Sequence, residues 1–260
     1  MKLISLNVWG GKVFGPLMDF IKKHAPDTDI FCLEEMPFGS KAGENGDGTR
    51  DNLCAELEAA LPDFQAFKFV APAGSQLTDM HVGRETRVGM VIFIRKNIPT
   101  SDYGWFFTYP EDSPDVRLED KDTGNFQHLI FEVGGKKYVL GHVHGLWQLS
   151  GKFDTPERLE QSQRLVKFFG EHSGPRILCG DFNLRPGDSA QSLAILDAAL
   201  KNLIQEYNIE NTRTPLYKDM EKYKDYIADY VFVSPEVKVK DFKVLPDEVS
   251  DHAALMLKFE

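Results

Sequence analysis

Carboxylates, amides and imidazoles stand where the apolar runs of this chain stop. Asn7 closes KLISLN, Glu34 and Glu35 close DIFCLEE, and His142 and His144 close KKYVLGHVH. Asp181 and Asn183 follow RILCG, Asp229 precedes YVFV, and Asp251 and His252 precede AALMLKF. Side chains of a strand alternate between its two faces, so Asp181 and Asn183 are expected side by side, and Glu34 is expected to face away from Glu35. The ends of strands are where α/β proteins keep their chemistry.

One chemistry uses all of these groups. A phosphoester resists hydrolysis because its anionic oxygens repel a nucleophile, so a site needs a cation on those oxygens and a group that orients or deprotonates water. Glu and Asp oxygens suit Mg²⁺ or Mn²⁺, which keep waters and bridge to phosphate. An Asp229–His252 pair would favour the imidazolium and let it donate to developing charge.

The elements that must position these groups are legible as strands interleaved with helices, an α/β pattern. KLISLNV alternates as a strand, FGPLMDFIKKHAP has the period of an amphipathic helix closed by Pro26, and DIFCLEE is a buried strand. DNLCAELEAALP reads as a helix stopped by Pro62, with strands at about 64–70 and 88–96 after it. HLIFEVGG and KKYVLGHVHG read as a hairpin over Gly134 and Gly135. Thr155 and Pro156 open a helix as N-cap and first residue, RILCGDF is a strand, and SAQSLAILDAALK is a helix. DYVFVSP, VKVKDFKVL and AALMLKF complete the strands. No repeat, low-complexity run or linker-like shift divides the chain, so residues 1–260 are expected to form a single domain.

Composition bounds the function. The formal net charge of −10 over 260 residues argues against a broad basic footprint on long duplexes. Cys32, Cys54 and Cys179 sit far apart in apolar segments and read as buried small hydrophobes, not as disulfides or thiol zinc ligands. No stretch reaches the about 18 apolar residues of a membrane span, and MKLISLNVWGG turns polar too soon for a secretory leader. The expectation is a soluble cytoplasmic protein with no membrane partner.

LNVWGG, IFCLEE, LGHVHG, CGDFN, ADYVFVS and SDHAAL, in that order, resemble the motifs of the endonuclease/exonuclease/phosphatase superfamily, the deoxyribonuclease I-like fold. The resemblance runs from Asn7 to His252. It implies a four-layered αββα sandwich, two mixed β-sheets face to face with helices outside and the active site at one rim. It also implies roles. Asn7 and Glu35 would hold the metal and its waters, and Asp251 would be a second metal or His-orienting carboxylate. Asp181 would orient or deprotonate the attacking water, and Asn183 would bond the scissile phosphate or that water. His252, aligned by Asp229, would stabilise the transition state, and His142 would touch phosphate or protonate the leaving oxygen. Trp9 stands where several nucleases of the family carry a second metal-binding Asp. Glu34 replaces a frequent Gln.

Other residues are weighed beside these. GDFNLRP resembles the corresponding stretch of the 5′-tyrosyl-DNA phosphodiesterases, which makes Arg185 a candidate phosphate neighbour, and Trp147 is a candidate substrate-facing aromatic. His144 reads as a supporting imidazole, Arg87 and Arg213 as surface residues with a phosphate contact as the alternative, and Trp105 to Phe107 as core with a base-stacking platform as the alternative. The Gly-rich loop from Phe38 to Asp51 lacks a P-loop ending and reads as a mobile rim beside Glu35. The expected activity is a Mg²⁺- or Mn²⁺-dependent phosphodiesterase acting locally on nucleic acid, at ends or single strands. The alternatives are a phosphoesterase for a small substrate such as a nucleotide, inositol phosphate or lipid head group, and a non-catalytic scaffold, which the retained Asp-Asn and Asp-His pairs disfavour.

Overall fold

The computed structural model describes residues 1–71, 86–110, 123–148, 151–218, 220–223 and 225–260. Its strands are β1 (Lys2–Asn7), β2 (Ile30–Phe38), β3 (Phe64–Val70), β4 (Arg87–Arg95), β5 (Thr100–Tyr109) and β6 (Gly124–Val133). They continue with β7 (Lys136–His144), β8 (Arg176–Asp181), β9 (Lys201–Asn202), β10 (Asp229–Val233), β11 (Val239–Val244) and β12 (Leu255–Phe259). The longer helices are α1 (Phe14–His24), α2 (Leu53–Ala60), α3 (Pro156–Gly170) and α4 (Ala190–Asp197).

Two mixed six-stranded sheets form, in the orders β11-β12-β1-β2-β4-β3 and β5-β6-β7-β8-β10-β9. They pack as the inner layers of a four-layered αββα sandwich. Alternation divides each strand between two cores. Leu3, Ile30, Cys32, Ile92 and Leu257 join Leu140 and Phe131 of the other sheet in the central core, while Ile4, Leu6, Phe31 and Leu33 meet Leu17, Phe20, Ile21, Leu53 and Leu57 of α1 and α2. Burying both faces of these strands is the main stabilising term, at roughly 25 cal/mol per Å² of apolar surface.

Local chemistry agrees with the helix and turn readings. Thr155 caps α3 by accepting from the Arg158 backbone N–H at 3.3 Å, with Pro156 at the first helical position. Gly134 and Gly135 turn β6 into β7 with φ of 59° and 76°, values glycine adopts freely. The three cysteines are buried and unpaired, as read. Among the described residues no helix is long and apolar enough to cross a membrane.

Two segments differ from the sequence reading. Trp105 to Phe107 lie on β5, a strand that TSDYGWFFTY hides because Gly104 and clustered aromatics break the alternation; Phe107 is buried, whereas Trp105 is 50% exposed. The loop from Phe38 to Asp51 is tied down: Asp51 accepts from the Lys41 N–H at 2.8 Å and from Thr86 Oγ1, and the Arg50 N–H donates to the Gly10 carbonyl at 2.8 Å.

The topology creates one functional rim. β1 runs parallel to β2, and β7 parallel to β8, so Asn7, His144 and Asp181 lie at carboxyl ends, with Asn7 in register with Glu34, midway along β2 at its bulge, and His144 with Asp181. β10 is antiparallel to β8 and begins there, Asp229 opposite Asp181. β12 is antiparallel to β1, which brings the preceding Asp251 and His252 to the same rim.

Candidate active site

Asp181 ends β8 because the chain before it can approach β7 closely. Gly180 has φ 134°, and a Cβ there would meet the Val143 carbonyl oxygen at 2.0 Å, so only glycine fits. Beyond Asp181 the strand stops and strict alternation ends with it. Asn183 has φ 52°; its N–H donates to Asp181 Oδ1 at 2.9 Å in an Asx turn, and its Nδ2 donates to the Gly145 carbonyl at 3.0 Å. Asp181 and Asn183 are therefore neighbours through a turn, not through a shared strand face.

Asn7 bridges the two sheets. Its Nδ2 donates to Asp181 Oδ2 at 3.3 Å, and its Oδ1 accepts from the Trp9 N–H at 3.0 Å. Burial would raise the Asp181 carboxyl, but the charges of His252, Lys152, His144 and Arg213 outweigh it and hold the group at about 2. Asp181 thus stays ionised and acts as a fixed acceptor.

Glu35 departs from strand geometry. A bulge interrupts the β2–β4 register between Leu33 and Met36, and Glu35 occupies the left-handed region at φ 53°. The expectation that Glu34 faces away from Glu35 is corrected by this bulge. Glu34 Oε1 meets His142 Nε2 at 2.5 Å, and Glu35 Oε1 lies 3.7 Å from His144 Nε2, two imidazoles on one face of β7. Among the described residues, Glu35 Oε2 is buried without a hydrogen-bond partner. Burial, then Asp251, pushes the Glu35 carboxyl up to about 8 against the hydrogen bond from Asn7.

His142 lies away from this opening. It is fully buried, its Nδ1 accepting from Gln127 Nε2 at 2.8 Å, which leaves Nε2–H to donate to Glu34. Burial, and His144 beside it, lowers its affinity for a proton well below the ordinary value. His144 is the imidazole at the rim, and burial lowers it too.

His252 is held from one side by Asp229, whose Oδ1 and Oδ2 lie 2.9 and 3.0 Å from Nδ1, while Thr212 Oγ1 donates to Asp229 Oδ2 at 2.8 Å. Nε2 looks toward Asp181 Oδ2 at 3.6 Å and Asp251 Oδ1 at 4.0 Å. Burial and Arg213 work against protonation of His252, yet Asp229, Asp251 and Asp181 prevail and raise it.

Two residues at this rim, Lys152 and Asp225, escaped the sequence reading, and a third is placed differently from its main reading. Arg213, read as a surface residue, is 7% exposed and its Nη1 contacts His252 Nε2. Lys152 Nζ pairs with Asp225 Oδ2 at 2.8 Å; Asp225 is buried and the Lys152 side chain is 11% exposed. The only local signal is the Thr-Arg-Thr alternation of residues 212–214, which resembles a short strand; Lys152 and Asp225 carry none. Arg185 pairs with Asp188 and lies over the Phe153 ring at 6.0 Å, and Trp147 is half-buried on the loop after β7.

Asp181, Asp229 and His252 offer ligand atoms within 4.8 Å of one another. Asp229 and His252 Nδ1 already satisfy each other, however, and Arg213 stands at Nε2. The hard donors at Glu35, with an orphaned oxygen, together with Asn7 and Asp251, fit a divalent cation better.

The sequence matches the profile of the Endonuclease/Exonuclease/phosphatase family over residues 4–252, and the chain belongs to that family. Its members are phosphoester hydrolases that use divalent metals, and the protein is an enzyme of this class. No curated protein sequence matches the chain. Solved structures share the fold. A mannosyl-6-phosphatase of Bacteroides thetaiotaomicron superposes with a TM-score of 0.70 at 18% identity, covering 100% of this chain and 99% of its own. D. rerio TDP2 complexed with a single-strand DNA product gives 0.67 at 16%, covering 100% and 98%. The human Nocturnin catalytic domain gives 0.67 at 16%, covering 100% and 94%.

Proposed function

We propose that residues 1–260 act as one domain that hydrolyses a phosphoester by direct attack of water on phosphorus at the rim containing Asp181 and His252. The observation that supports this reading is that Asn7, Asp181, Asn183, Asp229, Asp251 and His252 lie at one rim with Glu35, whose Oε2 is buried and, among the described residues, without a partner. Glu35, Asn7 and Asp251 would hold Mg²⁺ or Mn²⁺, which supplies charge neutralisation on the phosphate oxygens. Asp181 orients the water, with Asn7 and the Asn183 N–H fixing its carboxylate. Asn183 lines the phosphate position. Asp229 holds His252 with Nε2 directed inward, where the imidazole donates to charge that develops on phosphate. His142 acts through Glu34, as a support beneath the site.

The substrate we infer is nucleic acid engaged locally, at an end or in single-stranded form. Phe153, 52% exposed beside Lys152 and under Arg185, offers a base-stacking surface at the rim, with Trp147 nearby in sequence. A small phosphoester is the second reading, favoured by the net charge of −10. Purified protein with Mg²⁺ or Mn²⁺ should release product from labelled DNA, and EDTA or Asp181→Ala should reduce this by orders of magnitude. Indifference to both would refute the hydrolytic reading. Activity on DNA that falls steeply with salt supports a polyanion, and a flat profile on a small ester supports the second reading.

A further inference from the structure

Lys152, Arg213 and Asp225 form a second charged cluster beside the water-orienting Asp181. Asp225 is 4% exposed, and Lys152 Nζ lies 3.1 and 2.8 Å from its Oδ1 and Oδ2. Arg213 Nη2 lies 3.5 Å from the same Oδ2, and Tyr217 Oη donates to it at 3.2 Å. The Arg213 guanidinium stacks 4.3 Å from the Tyr217 ring centre, and its Nε is buried without a partner among the described residues. Its backbone is fixed as firmly. Residues 212–214 pair with 251–253: the Ala253 N–H donates to the Thr212 carbonyl at 2.8 Å and the Thr214 N–H to the Asp251 carbonyl at 3.1 Å, with Arg213 directly opposite His252.

Buried Arg213 and the largely buried Lys152 thus share the Asp225 carboxylate, which holds both cations side by side with little water between them. The other carboxylates near Arg213 are Asp181, Asp229 and Asp251, the last at 3.9 Å, and each is engaged with the water, His252 or the metal. Arg213 meanwhile occupies the space against His252 Nε2, the atom that must face phosphate. A phosphate oxygen entering there takes over both donors.

We propose that Arg213 and Lys152, anchored by Asp225, clamp the non-bridging oxygens of a terminal, doubly charged phosphate. This rests on the hydrolytic reading above and narrows it to a monoester, whether at a strand end or on a small molecule. A phosphomonoester carries about −2 with three free oxygens, whereas an internal diester carries one charge and two. In the step, the water oxygen bonds phosphorus, the ester P–O bond breaks, and one proton of that water passes to the departing oxygen, giving an alcohol and hydrogen phosphate. Arg213 and Lys152 stabilise the charge on phosphate; Asp225 is a positioning residue.

The test uses the full chain and two readouts. Inorganic phosphate should raise the melting temperature of the metal-free protein, and Arg213→Gln or Lys152→Met should abolish that rise, with Arg213→Lys restoring part of it. With Mg²⁺, each loss variant should lower kcat/KM on p-nitrophenyl phosphate by about 10- to 100-fold, and by less on bis(p-nitrophenyl) phosphate. Asp225→Asn should raise KM for the monoester while leaving KM for the diester near the wild-type value. Phosphate protection unchanged by the variants, or equal losses on the two esters, would overturn the clamp. Wild-type protein that with Mg²⁺ cleaves neither ester nor labelled DNA would instead overturn the hydrolytic reading, with phosphate protection still deciding on the clamp.

Discussion

Glu34 and Glu35 are consecutive, yet their carboxyl groups meet two imidazoles on one face of a single strand, Glu34 against His142 and Glu35 against His144. A regular strand would send them to opposite sides of the sheet. The left-handed Glu35 in the bulge of β2 removes that constraint, and it lets one acid support the site from beneath while the other opens onto it.

The Glu34 carboxyl is pushed well above its ordinary range by burial, with Cys179, Asp229 and Asp181 adding to it, which favours its neutral form. Glu34→Gln, which keeps the shape and neutrality, should cost less than about 1 kcal/mol in urea denaturation. Glu34→Ala leaves the His142 Nε2–H buried without a partner and should cost about 2–4 kcal/mol.

Glu35 sets a pH dependence in the metal-free protein. Its folded value of about 8 lies above that of an unfolded Glu, so between roughly pH 4.5 and 8 the folded state binds more protons, and stability falls as pH rises through that window. Melting temperatures of EDTA-treated wild type should decline across it, and Glu35→Gln should flatten the decline. Mn²⁺ should protect more strongly at pH 8 than at pH 5, because the cation competes with that proton.

Asp229→Asn keeps the side-chain shape but removes the charge that orients His252 and holds its Nδ1–H. We expect kcat to fall by about 10²- to 10⁴-fold with little change in KM, read from steady-state kinetics at saturating metal. A comparable rise in KM with kcat intact would assign Asp229 to substrate binding instead.

Leu140 is fully buried in the central core between the sheets. Leu140→Ala should lower unfolding free energy by about 2–5 kcal/mol through lost burial and the cavity left behind. Specific activity per folded molecule at low temperature should stay near wild type, because the rim residues are carried by strand ends beyond it.

The residue types at strand ends and the elements carrying them were legible in the sequence. Asn7, Glu35, Asp181, Asn183, Asp229, Asp251 and His252 each follow or precede a run whose period declares a strand, and periodicity is a local property of the chain. Their convergence required strand order, which brings parallel and antiparallel partners to one rim and is set by long-range packing. The bulge at Glu35 belongs to the same category, since a left-handed glutamate has no local signature and exists because β4 and the facing histidines over-determine it.

Arg213, Lys152 and Asp225 mark the limit most clearly. In a polar stretch between elements, a cation or an acid reads as solvated. Only the pairing of residues 212–214 with 251–253, some forty positions away, buries Arg213 against His252. The sequence by itself determined which chemical groups this protein carries and on which elements, because propensity and period act over a few residues. The tertiary structure alone decided which of them share a desolvated space, because burial and charge interaction depend on distances that only the packed sheets create.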